Sequence, residues 1–131
     1  MDTQVINPWT WQDRAGFVQG REVCGAERTL YCAGVVSVDG DGRPLHAGDM
    51  AAQAGQALDN LEAILSAAGY TLADVVRLNT YVTSVPDYVA ARPAVQQRLS
   101  AAGCRFAATL LGVAALARPE LLIELEATAV R

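Results

Sequence analysis

The segment that decides the fold is residues 56–88, QALDNLEAILSAAGYTLADVVRLNTYVTSVPDY. Its first half places large apolar residues at helical spacing, at Leu58, Leu61, Ile64 and Leu65. That period predicts an amphipathic helix with these four side chains on one buried face. Asp49 is the predicted N-cap of the helix, and Gly69 is the residue expected to close it.

The second half of the segment changes to a period of two, which is typical of a β-strand with one buried face. In residues 74–85, one side of the predicted strand carries Val76, Leu78, Thr80 and Val82. The other side carries Arg77, Asn79, Tyr81 and Thr83. A helix followed so closely by a strand indicates a helical layer packed on a sheet.

Patterns on both sides of this segment extend the same arrangement. Residues 15–23 and 28–38 are predicted strands, and with the turn-forming stretch DGDGRP they indicate an antiparallel hairpin. A second helix is predicted over residues 87–102, with a kink or an irregular turn at Pro93, which has no backbone donor. Residues 106–130 complete the chain as two strands around a turn at residues 117–120.

The resulting order, β-β-α-β-α-β-β, predicts an α+β fold: a two-layer sandwich in which two helices cover one face of a mixed sheet. The opposite face of the sheet is left open. Because the apolar residues of the last strand must lie under the helices, Glu124 and Glu126 point to the open face with Arg77, Asn79 and Tyr81. A face of such mixed polarity is expected to be covered, and another copy of the chain is the simplest cover.

Length and charge restrict the class of protein. The chain has 131 residues, which predicts one domain over residues 1–131. Its formal net charge is −4, and its ten basic residues, all arginine, form no basic run, so nucleic-acid binding through a basic surface is disfavoured. No apolar run reaches the roughly 20 residues of a membrane span, and the first residues do not resemble a signal peptide. The expectation is a cytoplasmic protein.

Metal and cofactor chemistry has little support in the sequence. Cys24, Cys32 and Cys104 form no CxxC pair, and His46 is the single histidine, so no metal site is predicted. Dinucleotide fingerprints, phosphate loops and G-x-S-x-G motifs are absent, and no cofactor is expected. Buried, unreactive thiols are the favoured interpretation of the three cysteines.

The two acids of the last strand are the first candidates for chemistry. Glu124 and Glu126 lie two residues apart, which separates them by about 7 Å on one face of a strand. Such a pair suits an acid and a base in catalysis. The alternative is structural, with one glutamate paired to Arg77 across the sheet and the other in solvent.

These residues resemble a known family. Residues 56–88, together with LLIELEATAV near the C-terminus, are similar to the Rid family, also called the YjgF family, and the likeness extends from GFVQG through the last strand. The resemblance implies a fold like that of the Bacillus-type chorismate mutase and a homotrimer with three small-molecule clefts between subunits. Archetypal members are enamine/imine deaminases: hydrolases that convert 2-aminoacrylate-type intermediates, formed by pyridoxal-phosphate enzymes, to keto acids and ammonia.

The resemblance also implies a set of site residues. In the archetypal members a glutamate on the last strand activates water, and an arginine on the penultimate strand clamps the substrate carboxylate. Ungapped matching places that glutamate at Glu124, but it places the arginine at Thr109. The family's tyrosine, the serine and glycine of its pocket, and the pocket cysteine fall at Phe17, Ala33, Gly34 and Leu111, respectively.

These departures predict a member of a subgroup that lacks the deaminase arginine and binds a small, uncharged or weakly polar metabolite. Arg118, reaching in from a neighbouring subunit, and Arg77 are candidates to replace the missing cation. Two alternatives stay open: a divergent imine hydrolase with Glu124 as general base, and a non-catalytic regulatory protein. Ribonuclease activity, which is known for some relatives, fits poorly with the acidic net charge and the single histidine.

Overall fold

A computed structural model describes residues 1–131 and contains two α-helices and seven β-strands. In chain order these elements are β1 Asp2–Ile6, β2 Gly20–Cys24, β3 Thr29–Tyr31, β4 Val35–Val36, α1 Met50–Ala67, β5 Val75–Val82, α2 Val85–Ala101, β6 Ala107–Gly112 and β7 Ile123–Val130. Short 3-10 helices cover Trp11–Ala15 and Leu72–Asp74. Neither α-helix has the length and apolarity needed for a membrane span.

The main sheet has the order β3-β7-β5-β6, with β4 also paired to β7. β5 lies between β6, its parallel partner, and β7, its antiparallel partner. Both helices pack on one face over a core that includes Leu58, Leu61 and Leu65 from α1. The predicted α+β class, with two helices on one face of a mixed sheet, is confirmed.

Local sequence signals locate α1 well. The Asp49 side chain accepts a hydrogen bond from the Ala52 backbone N–H, as expected of an N-cap. Gly69 follows the helix with a φ of +80°, a left-handed conformation that glycine adopts without a Cβ clash. Ile64 differs from its prediction, because its side chain lies on the exposed side of the helix.

The second helix begins earlier than predicted and passes Pro93 without a break. Ser84 caps α2 by accepting a hydrogen bond from the Asp87 backbone N–H, and Pro86 occupies the first turn, where its missing donor costs nothing. The helix is continuous from Val85 to Ala101, so the irregular turn predicted at Pro93 is absent.

The pairing of the N-terminal strands was predicted wrongly. β2 pairs with β1, whose residues were not predicted to form a strand, in the register Thr3↔Val23. The predicted strand 28–38 is instead broken into β3 and β4, and both pair with β7. The hairpin prediction failed because alternation identifies a strand but does not identify its partner.

The last two strands are also not neighbours. β6 and β7 both pair with β5, which separates them in the sheet. The predicted turn at residues 117–120 is present as a local hydrogen bond from Leu121 N–H to the Arg118 carbonyl. It belongs to a longer connection that crosses one end of β5.

A bulge in β5 shifts the predicted alternation at its start. The pairing with β7 is irregular between Val75 and Arg77, and Val75 is fully buried while Val76 is only half-buried. Beyond the bulge, Leu78, Thr80 and Val82 face the core as predicted. The bulge therefore leaves Arg77, Asn79 and Tyr81 on the open face of the sheet.

Candidate functional site

Glu124 lies on β7 with its carboxylate packed against the backbone of Gly34. A Cβ added at Gly34 would lie 2.7 Å from Glu124 Cδ and 2.8 Å from Oε1, so the absence of a side chain at Gly34 makes room for the acid. Glu124 is opposite Tyr81 on β5 and opposite Val36 on β4. It forms no ion pair, and no side chain donates a hydrogen bond to it.

Glu126 has a different environment from Glu124. Its Oε1 accepts hydrogen bonds from Asn79 Nδ2 at 3.0 Å and from Tyr81 Oη at 2.8 Å. The hydrogen bonds from Asn79 and Tyr81, with a further contribution from the charge of Arg77, lower the pKa of Glu126. Glu126 is therefore held ionised in a side-chain network, whereas Glu124 keeps its hydrogen-bonding capacity.

Arg77 pairs with neither glutamate. Its Nη2 donates a hydrogen bond to Thr109 Oγ1 at 3.0 Å, across the pair of parallel strands β5 and β6. The ion pair of the structural alternative, between Arg77 and one of the two glutamates, is therefore absent. The contact places the Arg77 guanidinium beside the position at which the resemblance implies an arginine.

A cavity of about 320 Å³ lies on the helix side of β6, beneath α2 and the first 3-10 helix. Nine of its thirteen lining residues are hydrophobic, and they include Phe17, Leu99, Phe106 and Leu110. Thr109 also borders the cavity, although its hydroxyl is bonded to Arg77 on the open face of the sheet, so of the sequence-predicted site residues Phe17 alone presents its side chain on the helix side. The size is at the lower end of the range for small-molecule pockets.

The segment that covers this cavity is fixed to α2. Trp11 packs edge-on against Phe17, with ring centroids 5.9 Å apart. Gln96 Nε2 donates a hydrogen bond to the Arg14 carbonyl at 2.8 Å. Gly16, with a φ of +80°, allows the chain to turn so close to Gln96 that a Cβ would lie 2.7 Å from Nε2.

The other predicted site residues lie apart from the cavity. Ala33 and Leu111 are exposed, and Arg118 is exposed in the connection to β7 with no ion pair. Glu124 and Thr109 stand on strands separated by β5, which places their backbones roughly 10 Å apart. Within one chain, the predicted residues form two groups, one around Glu124 and Gly34 and one around the cavity.

The cysteines differ in burial, and Cys24 is exposed, contrary to the prediction of three buried thiols. Cys104 is buried, and burial raises its pKa to about 12. Burial also raises the pKa of Cys32. No cluster of three or more histidine, cysteine, aspartate or glutamate side chains has a metal-binding arrangement.

Sequence reasoning missed two polar residues of the cavity, Tyr88 and Arg92, both on α2. Burial raises the pKa of the Tyr88 hydroxyl, while the Thr80 hydroxyl and the charge of Arg92 act in the opposite direction. Helical spacing of four residues puts Tyr88 and Arg92 on one face of α2, and that spacing was the available signal. Only the packing of α2 on β6 shows what they face.

The architecture and the sequence together identify the family. The fold is a two-layer α+β domain with an open sheet face, and residues 12–131 match the sequence model of the family described as Endoribonuclease L-PSP. A crystal structure from Yersinia pestis, the protein YyfB of unknown function of the conserved Rid family, is 42% identical, covers 100% of both chains and superposes with a TM-score of 0.90. The chain belongs to this family, the Rid family.

Curated relatives match over shorter stretches. The 2-iminobutanoate/2-iminopropanoate deaminase of Escherichia coli K12 is 34% identical over 83 residues, which is 63% of this chain and 65% of the deaminase. The RutC family protein PH0854 of Pyrococcus horikoshii is 37% identical over 59 residues, or 45% of this chain and 47% of that protein. These matches thus span about half to two-thirds of the relatives' own lengths.

Proposed function

We propose that this protein is a homotrimer that binds a small metabolite in clefts between subunits and lacks the archetypal 2-aminoacrylate deaminase activity. The observation that carries this proposal is Thr109, which stands at the position implied for the carboxylate-binding arginine and whose hydroxyl is already bonded to Arg77. An arginine fork binds a carboxylate through two charge-assisted hydrogen bonds, and a threonine hydroxyl cannot replace it.

The trimer is proposed from the exposed groups on the open face of the sheet. Tyr31 is 79% exposed and Leu111 is 49% exposed, although both belong to strands of the main sheet. Covering this face with further copies would bury these apolar groups. In such a trimer, residues of neighbouring subunits would complete the cleft around Glu124.

A second candidate function is imine hydrolysis with Glu124 as general base. It is favoured by the carboxylate of Glu124, which lies against Gly34 with no ion-pair partner. In that reaction the carboxylate takes a proton from water as the oxygen forms a bond to the imine carbon. Protonation of the nitrogen and cleavage of the C–N bond then release ammonia and leave a carbonyl product.

The decisive experiment measures 2-aminoacrylate hydrolysis in an assay coupled to a dehydratase that forms it. The wild-type protein is expected to be inactive, and Thr109→Arg is expected to gain activity that disappears in Thr109→Arg/Glu124→Ala. A hydrogen bond to a charged group contributes about 1.5–3 kcal/mol, so the gain should be roughly tenfold to a hundredfold above the background. Thr109→Val is the matched control, because it changes the side chain without adding a cation.

Arg77 complicates the gain of function, since Thr109→Arg removes its acceptor and sets two cations side by side. The variant Arg77→Gln/Thr109→Arg removes this repulsion. If it is also inactive, the site itself cannot hydrolyse 2-aminoacrylate. Clear wild-type activity that is lost in Glu124→Ala would overturn the binding proposal and establish the second candidate. No activity in any variant would instead favour a non-catalytic regulatory protein.

A further inference from the structure

The cavity beneath α2 contains a cation without a counter-ion. Arg92 is half-buried, lines the cavity and is the single arginine that does so. The ion pairs of the chain involve Arg43, Arg98 and Arg131, and Arg92 donates no hydrogen bond to any protein group. A partly desolvated guanidinium with all donors unused is a ready partner for an anion.

We propose that this cavity binds a monocarboxylate with an aromatic or branched aliphatic body, and that Arg92 receives the carboxylate. This inference rests on the proposed function only in treating the protein as a binder of small molecules. It revises the expectation of an uncharged ligand, because Arg92 on α2 would take the place of the arginine that the resemblance implies at Thr109 on β6. Neither Arg118 nor Arg77, the candidates suggested by the sequence, lines the cavity.

Two hydroxyl groups line the cavity together with Arg92. Tyr88 is 6% exposed and Thr80 is 7% exposed, and both line the cavity. Tyr88 precedes Arg92 by four residues in α2, which places the two side chains on the same face of the helix. A guanidinium and neutral hydroxyls offer donors for both carboxylate oxygens.

The rest of the cavity is suited to an apolar body. Its wall is formed by aromatic and aliphatic side chains from the 3-10 helix, α2, β6 and the residues next to them, including Trp11, Phe17, Val95, Leu99, Phe106 and Leu110. A volume of about 320 Å³ corresponds to roughly ten water molecules at about 30 Å³ each in the liquid. A ligand of about ten non-hydrogen atoms would therefore fill the space, whereas 2-aminoacrylate would leave much of it empty.

The test compares 3-phenylpropanoate with 3-phenylpropanamide, two probes that share a body and differ in the charged group. Binding is followed by the fluorescence of Trp11 in a Trp9→Phe background and by titration calorimetry on the full chain. The carboxylate is expected to bind more tightly than the amide. Arg92→Gln should weaken carboxylate binding by roughly tenfold to a hundredfold and leave amide binding unchanged.

Three further variants make the result specific to this cavity. Arg43→Gln removes one exposed arginine from a distant turn and is expected to leave both affinities unchanged, which controls for net charge. Ala108→Leu adds volume to the cavity wall and is expected to abolish binding of both probes. Arg92→Lys should retain part of the carboxylate preference, because the charge stays and the fork is lost.

Several results would overturn the proposal. Equal affinity for the carboxylate and the amide would show that Arg92 does not recognise an anion here. Binding that survives Ala108→Leu would place the probe elsewhere, and no binding of either probe at millimolar concentration would exclude this ligand class. The deaminase assay does not involve Arg92, so failure of the Thr109→Arg gain leaves these binding results standing.

Discussion

Arg77 Nη2 donates a hydrogen bond to Thr109 Oγ1 at 3.0 Å, so an arginine of β5 is bonded to the β6 residue at which the resemblance implies an arginine. The Arg77 guanidinium therefore lies near that position, but it extends from the neighbouring strand and already uses one N–H donor in the bond to Thr109. On the other side of the same strand, Arg92 faces the cavity with its donors unused. The two arginines therefore lie on opposite faces of β6, with Arg77 on the open face of the sheet and Arg92 beneath α2.

The close approach of Gly34 and Glu124 predicts that substitutions at the two positions have non-additive effects on the free energy of unfolding. Gly34→Ala should turn the Glu124 carboxylate away, because the new Cβ would lie 2.7 Å from Cδ. Since the displaced group is the flexible end of a side chain, the free energy of unfolding should fall by only about 1 kcal/mol or less. Urea denaturation of the double-mutant cycle with Glu124→Ala should show that most of this cost disappears.

The matched control for that cycle is Gly40→Ala, because a Cβ at Gly40 would meet nothing within 4 Å. Gly34→Ala should also reduce any Glu124-dependent activity gained by Thr109→Arg. Unchanged activity in the Gly34→Ala, Thr109→Arg variant would contradict a catalytic position of the Glu124 carboxylate beside Gly34.

Glu126 should titrate below the ordinary range of glutamate. Hydrogen bonds from Asn79 and Tyr81 lower its pKa in the folded protein. Its contribution to stability is therefore present above the unfolded pKa, about 4.3, and is lost as the pH falls through the lower folded pKa. Carboxyl NMR titration should show the pKa of Glu126 rising in Tyr81→Phe, which removes one donor.

The control for this titration is Tyr31→Phe, which removes a hydroxyl from an exposed tyrosine of β3 that forms no hydrogen bond to Glu126. The pKa of Glu126 should not change in this variant. If the pKa of Glu126 rose equally in Tyr81→Phe and Tyr31→Phe, the hydrogen bond from Tyr81 would not be the cause of the shift.

Gln53 should be important for the position of β7. Its side chain is fully buried, donates to the His46 and Glu120 carbonyls and accepts a hydrogen bond from the Leu122 backbone N–H. Gln53→Leu leaves the Glu120 carbonyl and the Leu122 N–H without a partner, whereas the His46 carbonyl still accepts a hydrogen bond from the Asp49 N–H. The free energy of unfolding should fall by about 2–4 kcal/mol.

The same denaturation experiment on Gln56→Ala provides the comparison, because the side chain of Gln56 bonds only to Asn60 on the same helix. Its effect should be within about 1 kcal/mol. Similar losses for the two variants would show that the link from α1 to the start of β7 adds little to stability.

Cys104 should be protected from thiol reagents in the folded protein. Burial holds its pKa at about 12, so the reactive thiolate is scarce near neutral pH. Cys24 is exposed and should react first with an aromatic disulfide reagent, and Cys24→Ser should remove that fast phase. Rapid reaction of Cys104 without denaturant would contradict the packing around it.

Local signals in the sequence determined much of the helix-on-sheet layer. The N-cap at Asp49, the glycine at Gly69 and the leucine period locate α1, because capping and amphipathic spacing involve residues within a few turns of each other. The alternation in the last strand likewise placed Glu124 and Glu126 on the open face. The expectation that Thr109 stands at the position of the family's arginine came from matching the last two strands to the family pattern.

Only the tertiary structure decided which strands pair and what faces the cavity. The partner of β2 is β1 rather than β3, and β5 separates β6 from β7, because strand pairing depends on contacts between distant parts of the chain. The hydrogen bond from Arg77 to Thr109 and the place of Arg92 follow from that sheet order and from the packing of α2. The sequence therefore supplied the candidate groups, and the packing between layers determined which of them meet.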